Sequence, residues 1–286
     1  MTMLGALLAA ALAFSPADAK LADRTTREFV AKCTPRDAGT VRGRIAANFI
    51  LDAASSTGCD VYPDRFTAKT PKGERTFTNL KTEFCSNPDG EWVVLLSHYD
   101  TKPGVPCPGA NDGASTTGLL VALANALSDW RTPRGNVMLL WTDGEECMES
   151  YGPDDGFWGS RRAAAALKAS GRKVKAVICL DMLGDRDLTV TLPRNSSPAL
   201  RKIALYAAKK AGIADKVAET EDLVKDDHVP FMEQGFKAID LIDFDYGSAP
   251  GLNDYWHTAE DTPDKLSEAS FLASGRLVCE MLNVLL

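Results

Sequence analysis

Four short runs constrain the fold more than anything else in the chain: residues 92–96 (WVVLL), 137–141 (VMLLW), 174–180 (VKAVICL) and 238–242 (AIDLI) are almost wholly apolar. Each is too short for a buried helix and long enough for a strand whose two faces both avoid water. Polar turns follow them, and then segments with helical spacing at 114–127, 160–169, 198–211 and 271–286. Strands that are apolar on both faces need helices on both faces. The expected fold is therefore an α/β sandwich: a single domain with a mixed, mostly parallel central sheet. Upstream, residues 23–56 carry a helical pattern, and residues 59–84 alternate as a hairpin turning at Thr70-Pro71-Lys72-Gly73. No repeat, low-complexity tract or linker divides the chain.

The residues just beyond the strands carry the chemistry. After the first come Ser97-His98-Tyr99-Asp100 and Gly109-Ala110-Asn111-Asp112; after the second, Asp143-Gly144-Glu145-Glu146. The third ends in Asp181, and Trp256-His257-Thr258 follows the fourth after a loop. Ligands of open α/β sheets bind at the carboxyl ends of strands. Five imidazole and carboxylate groups, His98, Asp112, Glu146, Asp181 and His257, are thus expected to converge on one edge. Singly, each has an ordinary use. Asp112 suits the N-cap of a helix, Asp181 a turn, and Glu145-Glu146 a solvated helix start. Jointly they place ligand-type residues at four separate strand ends, a mixture of nitrogen and oxygen donors that suits Zn²⁺. In the Glu145-Glu146 pair, one carboxylate can bind metal while the other stays free as a general acid/base.

Charge and termini narrow the partners. Acidic side chains outnumber basic ones by 39 to 32, and no long Lys/Arg run is present, which argues against nucleic acid as a partner. Residues 3–14 (MLGALLAAALAF) are apolar but too short to span a bilayer. They fit the core of a secretory signal cleaved after Ala19, which predicts export to the periplasm or beyond the cell, residues 20–286 as the catalytic domain, and no membrane span in the mature protein. Seven cysteines in an exported chain permit disulfides. Cys59 and Cys85, at the two ends of the hairpin, are the best-argued pair, and Cys107 and Cys147 lie close in sequence to Asp112 and Glu146. Cys179 and Cys279 sit in apolar runs and read as buried thiols.

At the segments His98-Tyr99-Asp100, Gly109-Ala110-Asn111-Asp112, Asp143-Gly144-Glu145-Glu146, Leu180-Asp181-Met182, Asp226-Asp227-His228 and Trp256-His257-Thr258 the chain resembles the superfamily of zinc aminopeptidases and glutaminyl cyclases. The resemblance runs from about residue 48 to the C-terminus. It implies one of two ligand sets. Two-zinc aminopeptidases use positions matching His98, Asp112 (bridging), Glu146, Asp181 and His257, with Glu145 as general base. The cyclases bind one zinc through positions matching Asp112, Glu146 and His257. In them Glu145 shuttles the proton, and Asp181 and Asp226 form an acid network around it.

Three features lean toward the glutaminyl-peptide cyclotransferases: Trp256 before the ligand histidine, the Asp226-Asp227-His228 segment, and the loop at 145–160; the longer Asp243–Asp254 loop is closer to the bacterial ones. Departures from the animal enzymes are Tyr151 in place of a tryptophan, and Ser97 and Thr117 in place of a cysteine pair. The implied reaction converts an N-terminal Gln of a peptide or protein to pyroglutamate with release of ammonia. Glu145, Asp181 and Asp226 are the expected catalytic groups, Trp256 and Tyr151 the expected substrate contacts, and His228 a pocket residue off the metal. The alternative is a two-zinc aminopeptidase working with the same residues.

Overall fold

The computed structural model describes residues 11–130 and 135–286. Eight strands, β1 (Tyr62–Thr70), β2 (Gly73–Phe84), β3 (Trp92–His98), β4 (Asn136–Thr142), β5 (Val174–Asp181), β6 (Val190–Leu192), β7 (Val217–Glu219) and β8 (Ala238–Ile242), form one sheet. Their order is β1-β2-β4-β3-β5-β8-β6-β7. The centre, β4-β3-β5-β8, is parallel. The β1–β2 hairpin joins it antiparallel through β4, and β6 joins β8 antiparallel while pairing parallel with β7. This is the mixed, mostly parallel sheet expected from the four apolar runs.

Side-chain alternation along β3 shows why both faces are covered. Val93 and Leu95 enter the larger core, formed with helices α1 (Pro16–Cys33), α2 (Val41–Ser55), α3 (Thr116–Ser128), α5 (Pro198–Ala211) and α7 (Glu268–Leu285). Trp92, Val94 and Leu96 enter the smaller one, closed by α4 (Trp158–Ser170) and α6 (His228–Glu233). A buried leucine such as Leu95 stabilises the fold by about 1.5–3 kcal/mol.

The helical pattern over 23–56 resolves into two helices. Pro35, which has no N–H to give, follows the end of α1 in a cis peptide with Thr34. Thr40 then caps α2 by accepting the N–H of Gly43. The short elements β6, β7 and α6 were not foreseen, since three to six residues are too few to display a period.

The N-terminal segment is part of this architecture. Ser15 and Asp18 cap α1 reciprocally, each side chain receiving the other's backbone N–H. Asp18 also accepts from Asn125, and Leu12 exchanges two hydrogen bonds with the Asn283 side chain. Leu12 and Phe14 are buried, and the Phe14 ring fills a slot that exists because residue 275 is glycine: a Cβ there would lie 2.3 Å from the ring. Ala19, the expected cleavage point, is buried within α1; residues 1–10 of the expected signal lie outside the described residues.

All seven cysteines are free thiols. The expected Cys59–Cys85 bridge is not formed, and Cys107 and Cys147, beside the site, are not joined either. Cys59 donates to the Ala54 carbonyl, Cys147 receives the Lys102 ammonium at 3.0 Å, and Cys107 faces Asp261. Cys179 and Cys279 are buried, as their apolar surroundings predict. No described helix is long and apolar enough to cross a membrane.

Candidate metal centre and active site

The expected residues meet at the carboxyl ends of the parallel strands. His98 ends β3, Asp181 ends β5, Asp143-Gly144-Glu145-Glu146 continues β4, and His257 enters from the loop beyond β8. Asp112 comes from a kinked turn at Ala110–Ser115, where Gly113 adopts φ +79°. A Cβ on Gly113 would stand 2.8 Å from His98 Cε1, so a glycine is what lets the Asp112 turn close onto that imidazole. Met182, directly after Asp181, and His257 also hold left-handed backbone, at φ +55° and +56°. Such conformations persist where the surroundings impose them, and they concentrate at functional sites.

Asp112 lies between two histidines. Its Oδ2 is 3.2 Å from His257 Nε2, and its Oδ1 is 3.1 Å from His98 Nε2. His257 Nε2 also lies 2.7 Å from Glu146 Oε1, and His98 Nε2 lies 3.3 Å from Asp181 Oδ1. Two triads result, Asp112/Glu146/His257 and His98/Asp112/Asp181, each with its donor atoms within 4.8 Å of one another. Donor–donor separations near 3.3 Å are those of ligands held about 2.0–2.1 Å from a tetrahedral ion, and imidazole plus carboxylate is a donor set that zinc accepts. The residues fit the metal.

Electrostatics here follow from burying many acids together. Burial pushes the Glu145 carboxyl well up, and the neighbouring Glu146 charge adds to it. Asp181 rises to about 6, burial outweighing the hydrogen bond from His98. Asp226 rises to about 7 through burial and the Asp181 charge, and Asp227 to about 7 through burial and Asp226. At Asp112 the balance is reversed: burial opposes ionisation, but hydrogen bonds from His257 and His98 hold the carboxyl well below its usual range. The same contacts overcome burial at His257, raising it to about 9.

Further buried acids lie beside these groups. The Cys179 thiol donates to Asp226 Oδ2 at 3.5 Å, and the Asp227 N–H donates to Asp226 Oδ1. Asp240, on β8 and paired in register with Cys179, is fully buried with neither oxygen hydrogen-bonded. His228 stands off the metal-facing groups: its Nε2 pairs with the Asn195 amide, and burial lowers it to about 4.

Several supporting residues escaped sequence reasoning. Asp100 accepts the backbone N–H groups of Gly144, Glu145 and Glu146. Asp261 accepts those of Asn111 and Asp112, and also the Tyr246 hydroxyl. The buried guanidinium of Arg36 donates to the carbonyls of Tyr99, Pro108, Gly109 and Asp112. Lys102 reaches Glu146 Oε2 at 3.2 Å. Asp100 had a visible signal in its place after His98-Tyr99; the others are distant in sequence from what they hold.

A cavity of about 750 Å³ opens over the site, lined among others by Glu145, Glu146, Tyr151, Asp226, Phe244 and Trp256. Trp256 stacks on the His257 ring (centroids 3.9 Å apart) and meets Phe244 edge-on. Tyr151 directs its hydroxyl to Glu145 and Glu146, at 3.1 Å from each.

The comparisons agree with this arrangement. The model of peptidase family M28 matches residues 78–282. The structure superposes on a glutaminyl cyclase from an Acidobacteriales bacterium with a TM-score of 0.88, at 35% identity over 96% of each chain. It superposes on the glutaminyl cyclase of Porphyromonas gingivalis with a TM-score of 0.84, at 26% identity over 96% of this chain and 99% of the other. A glutaminyl-peptide cyclotransferase of Drosophila melanogaster is 27% identical over 266 residues, covering 82% of this chain and 73% of its own. With imidazole and carboxylate groups gathered at its strand ends and this likeness over most of its length, the chain belongs to peptidase family M28 and groups there with the glutaminyl cyclases.

Proposed function

We propose that the protein is a zinc-dependent glutaminyl-peptide cyclotransferase, converting the N-terminal Gln of peptides or proteins to pyroglutamate with release of ammonia. The observation that carries this reading is the buried acid Asp226, present in addition to the full metal-facing set and within electrostatic reach of Glu145. Peptide-bond hydrolysis at a metal pair has no need of a further buried acid there. Repeated proton transfer to and from a shuttling Glu145 does.

Asp112, Glu146 and His257 would hold the ion, and a zinc held there would supply Lewis acidity toward the γ-carboxamide oxygen. The remaining work falls to side chains. Trp256 and Phe244 give the Gln methylenes an apolar wall. Glu145 takes a proton from the attacking α-amine as the new N–C bond forms, and delivers a proton to the departing nitrogen as the old C–N bond breaks. Asp181 and Asp226 relay or hold that proton between the two transfers. The reaction is intramolecular, so holding the chain in the closing geometry supplies much of the acceleration. The apolar run at residues 3–14 supports an exported enzyme acting on peptide N-termini outside the cytoplasm.

A two-zinc aminopeptidase is the second reading, and one observation favours it: His98, Asp112 and Asp181 also come together as a triad. Offering Gln-initiated peptides and aminoacyl anilides side by side tests the two. Ammonia and a pyroglutamyl product, with one zinc per chain, is the expected outcome. Release of the free N-terminal residue, with two tightly held zincs, overturns it.

A further inference from the structure

Tyr151 occupies a position the cyclase reading gives to substrate packing, yet its hydroxyl points at the two adjacent glutamates. Its oxygen is 3.1 Å from Glu145 Oε2 and 3.1 Å from Glu146 Oε2. A phenol has one proton to donate, so the two contacts are not equal partners. Glu146 is already supplied: Oε1 faces His257 Nε2 at 2.7 Å, and Oε2 faces the Lys102 ammonium at 3.2 Å. Glu145 is not. Among the described residues the Tyr151 hydroxyl is the one group that hydrogen-bonds its carboxyl, although the side chain is buried. A buried carboxyl without a donor is costly and free to choose rotamers.

The tyrosine itself is well held. Its ring stacks on Phe157, with centroids 4.8 Å apart and planes inclined by 20°, and Lys102 Nζ lies 5.1 Å from the ring centre on which it bears. The ring is thus fixed by contacts that do not involve the hydroxyl.

From this we infer that Tyr151 is a positioning residue for the general base: its hydroxyl occupies Oε2 of Glu145, fixes the carboxylate plane, and leaves Oε1 as the atom that exchanges the proton with substrate. The inference rests on the proposed role of Glu145, which is the base in the cyclase and the peptidase readings alike. Locking a base within a fraction of an ångström of its productive geometry is worth orders of magnitude in rate, and the loss appears in kcat rather than in substrate affinity.

Tyr151→Phe removes the hydroxyl and keeps the ring stack. The variant is measured with zinc content and melting temperature read on the same sample. The expected result is a kcat lower by about ten- to a hundredfold, a KM within about threefold of wild type, and unchanged zinc and melting temperature. An unchanged kcat overturns the inference. So does a rise in KM at constant kcat, which makes Tyr151 a substrate contact only. Loss of zinc or of the fold also overturns it, by placing the hydroxyl in support of the metal centre. If the wild type cleaves aminoacyl anilides and forms no pyroglutamate, the cyclase reading fails, and the same kcat–KM comparison on anilides still decides the role of Tyr151.

Discussion

Asp100 receives the N–H of Glu145 on one carboxylate oxygen at 3.1 Å, while its other oxygen receives the N–H of Glu146 at 3.2 Å. One buried side chain thus sets the backbone of both the proposed base, Glu145, and the proposed metal ligand, Glu146. Replacing it with Asn turns one acceptor into a donor facing an N–H. Asp100→Asn is expected to cost about 1–3 kcal/mol of stability and to lower kcat at least tenfold by loosening the loop. Denaturant midpoints and steady-state rates check this; wild-type values in both would mean the loop is placed without Asp100.

Glu145 and Glu146 are neighbours in sequence with different expected roles, and substitution should separate them. Glu145→Gln should retain zinc and lose about 10²–10⁴-fold in rate. Glu146→Gln, which removes the charge facing His257, should lose zinc itself. Metal analysis of the two purified variants, alongside ammonia release, is the measurement. Zinc retained in both would remove Glu146 from the ligand set.

Asp143 offers a test of the electrostatics away from substrate. Its Oδ2 accepts the Thr78 N–H at 2.8 Å, its buried Oδ1 has no partner, and burial with the nearby Asp100 charge raises it to about 8. Because the folded value lies above the unfolded one, the folded state keeps this proton longer. The associated stability is full below about pH 4 and is lost progressively as pH rises to about 8. In metal-free protein, Asp143→Asn is expected to flatten the fall in unfolding free energy between pH 5 and 8 by on the order of 2–4 kcal/mol. Identical pH profiles for variant and wild type would show that Asp143 ionises normally in the fold.

The N-terminal segment bears on stability. A chain starting at Lys20 lacks Leu12, Phe14 and the Ser15–Asp18 cap, all of which pack or bond in the fold. Two buried apolar side chains and a cap are together worth about 4–8 kcal/mol. A 20–286 chain is therefore expected to melt lower than an 11–286 chain. Thermal melts of the two chains check this. Equal melts would mean that residues 11–19 pack without stabilising the fold.

What could be read in advance was what local patterning encodes. The apolar runs around Val94, Leu139, Ile178 and Leu241 announced a doubly covered sheet, and ligand-type residues beyond them marked its working edge. The convergence of His98, Asp112, Glu146, Asp181 and His257 followed from topology, since parallel strands present their carboxyl ends together. What stayed hidden depends on tertiary contact. Asp240 reads as a polar interruption in AIDLI until β8 pairs with β5 and sets it beside Cys179. Asp261 and Arg36 carry no motif, because their partners are backbone groups far along the chain. The disulfide expected across the hairpin ends did not form, since facing ends of two strands do not by themselves give two thiols the geometry a bridge requires.

Arg36 has a consequence for the order of assembly. Its guanidinium sits in the connection between the first two helices, yet the carbonyls it gathers belong to residues 63 to 76 positions later, among them that of Asp112 itself. The turn that carries Asp112 is therefore completed only when the chain's beginning has docked against its middle. Contacts of such sequence separation are slow to close and come after local structure. Assembly of the Asp112 turn should accordingly be a late event in folding, drawing on an arginine from near the chain's beginning.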